Sequence, residues 1–195
     1  MLKLKRAALA SVLLAVSLFG IVGAPAMAAK QAESKGQVKS VADPVVLMET
    51  TKGPIKVLIY KSEVPTTANN FLDLVKRGFY NGLSFHRYVP HFCIQGGDPN
   101  GNGTGGFSDP VTKSERHIPL EVRQNLKHDS AGVLAMARAN DPNSASSQFY
   151  FTLDPVPNLD MEYAVFGKVV DGLPVVKALR KGDKMTKVSI VEGGK

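Results

Sequence analysis

The chain has 195 residues, 44% hydrophobic and 21% charged, with a single cysteine and a formal net charge of +7. These values fit one globular domain with a core of its own. They exclude a collagenous chain, a disordered one, or a small scaffold stapled by disulfides. The first 28 residues read separately from the rest. Lys3, Lys5 and Arg6 precede an apolar run from Ala7 to about Val22, and Ala26-Met27-Ala28 matches a small-x-small cleavage site. This is the pattern of a secretory signal peptide. The run is short for a membrane span, which takes ~20 apolar residues, so cleavage and release are expected, with no membrane attachment afterwards. The mature chain then carries 21 Lys+Arg against 17 Asp+Glu, a net charge of +4. That is too mild to indicate nucleic acid. Export places Cys93 in an oxidising compartment without a partner, so packing alone must hold the fold.

Residues 29–43 are polar, lack apolar periodicity and read as a flexible linker; the folded domain is expected over 44–195. Val45-Val46-Leu47-Met48 and Ile55 to Tyr60 read as strands around a turn at Lys52-Gly53-Pro54. Thr66 or Thr67 is placed to cap a helix running to about Arg77, with Gly78 as its stop. Ala68, Phe71, Leu72 and Val75 recur at helical spacing and should face the core. From Gly82 to Val170 short apolar runs alternate with Gly, Pro, Asn and Asp. Val133 to Met136, Phe149 to Leu153 and Ala164 to Val169 are strand-like. A short helix over Pro174–Arg180 and a closing strand over Val188–Val191 follow. Many short strands with two helices fit either a barrel or a sandwich.

The densest information lies in Phe85–Gly106, FHRYVPHFCIQGGDPNGNGTGG. It joins an arginine among aromatic residues, a Gln-Gly-Gly-Asp turn and a glycine-rich loop. Met136-Ala137-Arg138-Ala139, Ser147-Gln148-Phe149-Tyr150 and Tyr163 to Val169 follow in order. Together, over about Val45 to Val191, these motifs resemble the cyclophilin family of peptidyl-prolyl cis/trans isomerases. The resemblance implies a closed, eight-stranded antiparallel barrel with a helix over each open end. It implies an exported enzyme of bacterial type, most simply periplasmic. Such an enzyme acts on proline-containing segments of unfolded or partly folded proteins, as a monomer and with no cofactor or metal.

By the same resemblance Arg87 is the catalytic arginine. Phe92, Cys93, Tyr150, Leu159 and Tyr163 line an apolar slot for the proline ring. Gln95 and Gln148 offer amides to the substrate backbone. Ala137 and Arg138 lie on the stretch that pairs with the bound peptide, the Arg138 side chain either touching substrate or solvated, and Gly103 lies close to the peptide. Cys93 is expected to border the slot as a free thiol whose thiolate Arg87 favours. The chain departs from the family pattern at five places. His91 replaces a usual glycine, Cys93 a methionine, Tyr150 a common phenylalanine and Tyr163 a histidine. Asn158 stands where cyclosporin-sensitive members carry tryptophan.

Gly101 to Gly106 satisfies G-x-G-x-x-G, but Phe107-Ser108-Asp109-Pro110 cannot open the helix a dinucleotide loop needs. The four histidines, at 86, 91, 117 and 128, show no metal-ligand spacing, and His86 reads as a buried structural residue. Two other functions fit a barrel: a weakly catalytic peptide-binding or chaperone module, and a carrier with a ligand-filled apolar interior. Arg87 argues against the first, since a pure binder has no use for it.

Overall fold

The computed structural model describes residues 43–191. The signal sequence and nearly all of the linker lie outside the described residues. Strand β1, Val45–Thr50, turns through Thr51-Lys52 into β2, Gly53–Ile59. The turn sits one residue earlier than the Gly-Pro pair indicates. Gly53 has φ +127°, and Pro54 is the second residue of β2. Ile55, Val57 and Ile59 alternate into the core, as a half-buried strand requires.

Helix α1, Pro65–Lys76, starts without a side-chain cap of its own. Val64 is the capping residue, and Pro65 occupies the first turn, where its missing N–H costs nothing. Neither threonine caps. Instead the Glu121 carboxylate accepts the backbone N–H of Thr67 at 2.8 Å and of Thr66 at 3.4 Å. The helix stops as expected before Gly78, φ +67°. Its inward face carries Ala68, Phe71, Leu74 and Val75. Phe71 meets Tyr80, Phe149 and Phe166 at centroid distances of 5.1, 5.6 and 5.1 Å. Burying one such ring stabilises the fold by about 1.5–3 kcal/mol.

The remaining strands are β3 Arg87–Val89, β4 Cys93–Gly96, β5 Val133–Met136, β6 Phe149–Thr152, β7 Val165–Asp171 and β8 Met185–Val191, with helix α2 at Leu173–Ala178. All eight form one antiparallel sheet in the order β3-β4-β6-β5-β7-β2-β1-β8. Strand number, direction and helix count match the expected barrel, but closure is partial. Strands β3 and β8 share no ladder. The chain just before each makes a single bridge, Ser84 to Lys184, reinforced by Phe85 N–H to Asp183 O at 2.8 Å and Met185 N–H to Leu83 O at 2.9 Å.

The middle of this sheet is buried on both faces, which is why its strands read as unbroken apolar runs. Ile94, Leu134, Met136, Phe149 and Phe151 point into the main core. The alternate residues Cys93, Val133, Ala135, Tyr150 and Val165 form a second, smaller cluster on the opposite face. Phe92, Leu159, Tyr163 and Ala137 pack against that second cluster. Two-residue periodicity thus divides the same strands between the core and a surface site.

Candidate active site

Strand register builds the site. Arg87 on β3 pairs with Gln95 on β4, Gln95 with Tyr150 on β6, and Tyr150 with Ala135 on β5. Directly opposed residues on antiparallel strands share a face, so these side chains form one row. Beside the row opens a cavity of about 220 Å³ lined by Arg87, Phe92, Cys93, Gln95, Ala137, Arg138, Tyr150, Leu159 and Tyr163. Nine of the eleven residues singled out in the sequence therefore meet around one slot. Gly103 and Gln148 line an adjoining groove, which shares Gln95, Ala137 and Arg138 with the slot.

The apolar wall comes from Phe92, Leu159 and the two tyrosines. Tyr150 and Tyr163 meet edge to face, centroids 6.1 Å apart at 80°. Arg87 stands over Phe92 at 5.7 Å from the ring centroid. Its Nη1 donates to Cys93 Sγ at 3.2 Å and to Gln95 Oε1 at 3.3 Å. Gln95 Nε2 donates to Gln148 Oε1 at 2.9 Å. Gln148 Nε2 then donates to the carbonyls of Gly103 at 3.0 Å and Gly105 at 2.8 Å. Both amide hydrogens of Gln148 are thus committed to the glycine loop.

That loop is organised from beneath by Asp98. Gly97 has φ +83°, and a Cβ there would lie 2.5 Å from Ser147 O, so only glycine fits the turn that delivers Asp98. The Asp98 carboxylate accepts the backbone N–H groups of Asn100 at 2.8 Å, Asn102 at 2.9 Å and Gly105 at 3.0 Å, and that of Gly103. Burial works to raise its pKa. The N–H groups of Asn100, Gly103 and Asn102 outweigh it and hold the carboxyl below its usual range. No helix follows, so the G-x-G-x-x-G string forms a nest around a carboxylate from its own chain.

Arg138 borders the slot and the adjoining groove with the donors of its guanidinium already engaged. Its Nε and Nη2 donate to Glu162 O at 3.0 and 2.9 Å, and Nη1 donates to Ala139 O at 2.9 Å and Asn140 O at 3.3 Å. Glu162 Oε2 takes a further Nη2 contact at 3.4 Å. The guanidinium lies 4.7 Å from the Tyr163 ring centroid. Its work is to brace the Tyr163 wall.

Cys93 lines the slot but is only 1% exposed. Burial pushes the thiol pKa up, and this outweighs the opposite pull of Arg87. The expectation that Arg87 would favour the thiolate is therefore corrected: desolvation wins over one cation.

A family model described as cyclophilin type peptidyl-prolyl cis-trans isomerase/CLD matches residues 45–193. The chain belongs to the cyclophilin family. It is a cyclophilin-type peptidyl-prolyl cis-trans isomerase. It is 46% identical over 136 residues to a peptidyl-prolyl cis-trans isomerase of Arabidopsis thaliana, covering 70% of this chain and 80% of that one. Over 134 residues it is 45% identical to an isomerase of Schizosaccharomyces pombe, covering 69% of this chain and 83% of that one. Among solved structures, a cyclophilin-type isomerase of Cryptosporidium parvum superposes with TM-score 0.69 at 31% identity, covering 78% of this chain and 99% of the other. The same protein in the presence of the dipeptide Ala-Pro gives TM-score 0.65 at 32% identity, covering 77% and 99%.

Within this cyclophilin the departures acquire local reasons. His91 takes up a left-handed backbone, φ 58°, a conformation that favours the usual glycine. Its exposed ring pairs with Asp154 at 2.8 Å. Asn158 is exposed in the 3-10 turn Pro157–Leu159, directly before the slot residue Leu159. Tyr150 carries a hydroxyl that a phenylalanine would lack, and sequence reasoning missed its partner. The hydroxyl meets His128 Nε2 at 2.9 Å, and His128 Nδ1 meets Asp160 at 3.1 Å. The available signal was the tyrosine itself, because a buried phenol needs a hydrogen-bond partner.

Proposed function

We propose that this isomerase is exported and speeds proline-limited folding of proteins outside the cytoplasm, with Arg87 as the catalytic residue. Uncatalysed X-Pro rotation takes tens to hundreds of seconds, slow enough to hold back secreted clients. The barrier of ~18–20 kcal/mol reflects amide conjugation. Midway through rotation the proline nitrogen regains a lone pair and can accept a hydrogen bond. A guanidinium placed there stabilises the twisted state over either planar state, and only that difference accelerates the reaction. The observation that carries the catalytic part is the placement of Arg87. It lies at the rim of an apolar slot walled by Phe92, Leu159, Tyr150 and Tyr163, with Gln95 and Cys93 steadying one of its nitrogens. Ala137 and the glycine loop at Gly103 border the groove along which the peptide would continue.

Export rests on residues 1–28, with processing after Ala28 and release of a monomer into the periplasm. The relatives described above come from a plant and a yeast, so compartment is argued from the leader alone. The test expresses the full chain in a Gram-negative cell, fractionates it and sequences the mature N-terminus. A product beginning at Ala29 in the periplasmic fraction is expected, and it should accelerate refolding of a protein limited by a trans-to-cis proline step. An unprocessed chain retained with the membrane or cytoplasm would overturn the export reading.

A further inference from the structure

One buried titratable group behind the slot has no part in the reaction as derived. His128 has a side chain 0% exposed. Its backbone N–H donates to Asp160 Oδ1 at 2.8 Å, and its Nδ1 lies 3.1 Å from the same oxygen. Lys127 Nζ sits 3.5 Å from the other carboxylate oxygen. A carboxylate only accepts, so Nδ1 carries the proton and Nε2 is left bare. Nε2 then accepts from the Tyr150 hydroxyl at 2.9 Å. The two rings lie nearly parallel, 12° apart with centroids at 6.1 Å. Asp160, His128 and Tyr150 thus form a satisfied buried chain that ends in a wall of the slot.

We infer that His128, clamped by Asp160, is a positioning residue of the isomerase. Through the Tyr150 hydroxyl it holds one wall of the proline slot in place and so sets peptide affinity, not the rate of bond rotation. The inference rests on the slot being where proline binds. The Tyr150 hydroxyl has this single partner among the described residues. Without it the ring is free to shift against Tyr163, its edge-to-face neighbour. Arg87 lies on β3 and pairs with Gln95, so the twisting step does not pass through His128.

Protonation gives this chain a signature. The charged and titratable groups that face it are Asp160 from the turn after Leu159, Lys127 and Asp129 on its own segment, and Tyr150 from β6. Tyr163, Cys93 and Arg138 act on Tyr150 from the slot side. Burial lowers the His128 pKa from 6.5, against the smaller upward pulls of Asp160 and Asp129. The neutral ring therefore persists through neutral pH. On acidification Nε2 becomes a donor and the Tyr150 oxygen accepts from it, which leaves the buried Tyr150 O–H without an acceptor among the described residues and the ring under pressure to turn.

The experiment measures kcat and KM for an Ala-Ala-Pro-Phe anilide with wild type, His128→Ala, His128→Gln and Tyr150→Phe, each across about pH 5 to 8, the histidine range. His128→Ala should raise KM about threefold to tenfold, the effect of one hydrogen bond, with kcat within about twofold. His128→Gln, whose amide oxygen can accept the Tyr150 hydroxyl, should recover most of the loss. Wild type should show a rise in KM as pH falls below the ordinary histidine value of 6.5, and that rise should be absent from Tyr150→Phe. Unchanged KM in folded His128→Ala, a fall in kcat alone, or an acid rise that survives in Tyr150→Phe would each overturn the role. If His128→Ala does not fold, the glutamine variant and the pH comparison decide. Failure of the slot reading shows separately: Arg87→Ala would then keep its turnover, whatever the His128 variants do.

Discussion

Arg87→Ala should cut turnover at least tenfold while leaving peptide binding and fold almost untouched. The arginine is exposed and sits at the start of β3, an edge strand, so its deletion opens no core cavity. What the fold loses is the contact over Phe92, 5.7 Å from the centroid, and two hydrogen bonds from Nη1, to Cys93 Sγ and Gln95 Oε1. An exposed cation–π contact is worth about 0.5–1 kcal/mol. At this chain length that lowers Tm by only about 1–4 °C. The twisted state loses more. Among the described residues nothing engages Nε or Nη2 of Arg87, so these donors are free for a proline nitrogen. One charge-assisted hydrogen bond contributes about 1.5–3 kcal/mol, so turnover should fall roughly 10- to 100-fold at ~1.4 kcal/mol per decade. Arg87→Lys keeps the charge and loses the planar fork, and should fall between the two. Protease-coupled isomerisation measures turnover, a thermal melt reports the fold, and titration with a non-hydrolysable proline peptide reports Kd. A folded Arg87→Ala protein within twofold of wild-type turnover would refute the assignment. A Kd raised in proportion to the lost turnover would show that Arg87 grips the ground state instead.

Three further outcomes are expected. Asn158→Trp should tighten cyclosporin binding by at least tenfold, since an indole beside Leu159 adds apolar surface at ~25 cal/mol per Å² and an N–H donor; wild type inhibited at nanomolar drug would contradict this. Cys93 should react slowly with maleimide at neutral pH and quickly only in denaturant, because the thiol is 1% exposed and burial raises its pKa; labelling at the rate of a free thiol would count against that burial. Asp98→Asn should destabilise the fold at neutral pH by loosening the glycine loop. The Asp98 pKa is lowered on folding, so its contribution is complete well above the unfolded value of 3.8 and is lost as pH falls through the lower folded value. Chemical denaturation of both proteins along a pH series should therefore show the wild-type advantage shrinking only below about pH 4.

Much of the fold was legible because short-range patterns carried it. Ile55, Val57 and Ile59 alternate in the sequence as they do in β2, and Ala68, Phe71 and Val75 keep helical spacing on α1. Continuous runs such as Phe149 to Phe151 announced burial without saying that two different faces were buried. The ordered motifs around Arg87, Ala137, Tyr150 and Tyr163, through the family they resemble, were enough to gather one slot from four separate stretches of chain.

What the sequence determined by itself was therefore six of the eight strands and both helices, set by local periodicity, while the residues expected at the site came from the order of motifs that resemble a known family. Only the tertiary structure decided which polar group satisfies which. Glu121, not a threonine, receives the first N–H groups of α1 across 54 residues. Arg138 spends its guanidinium on Glu162, Ala139 and Asn140, and Asp98 rather than a nucleotide fills the glycine nest. The slot tyrosine is tied to His128 and Asp160, which lie outside the motifs that mark the site. The physical reason is common to all four. Apolar burial is non-directional and leaves a period in the chain, whereas a hydrogen bond depends on where two distant groups come to rest, and no local pattern encodes that.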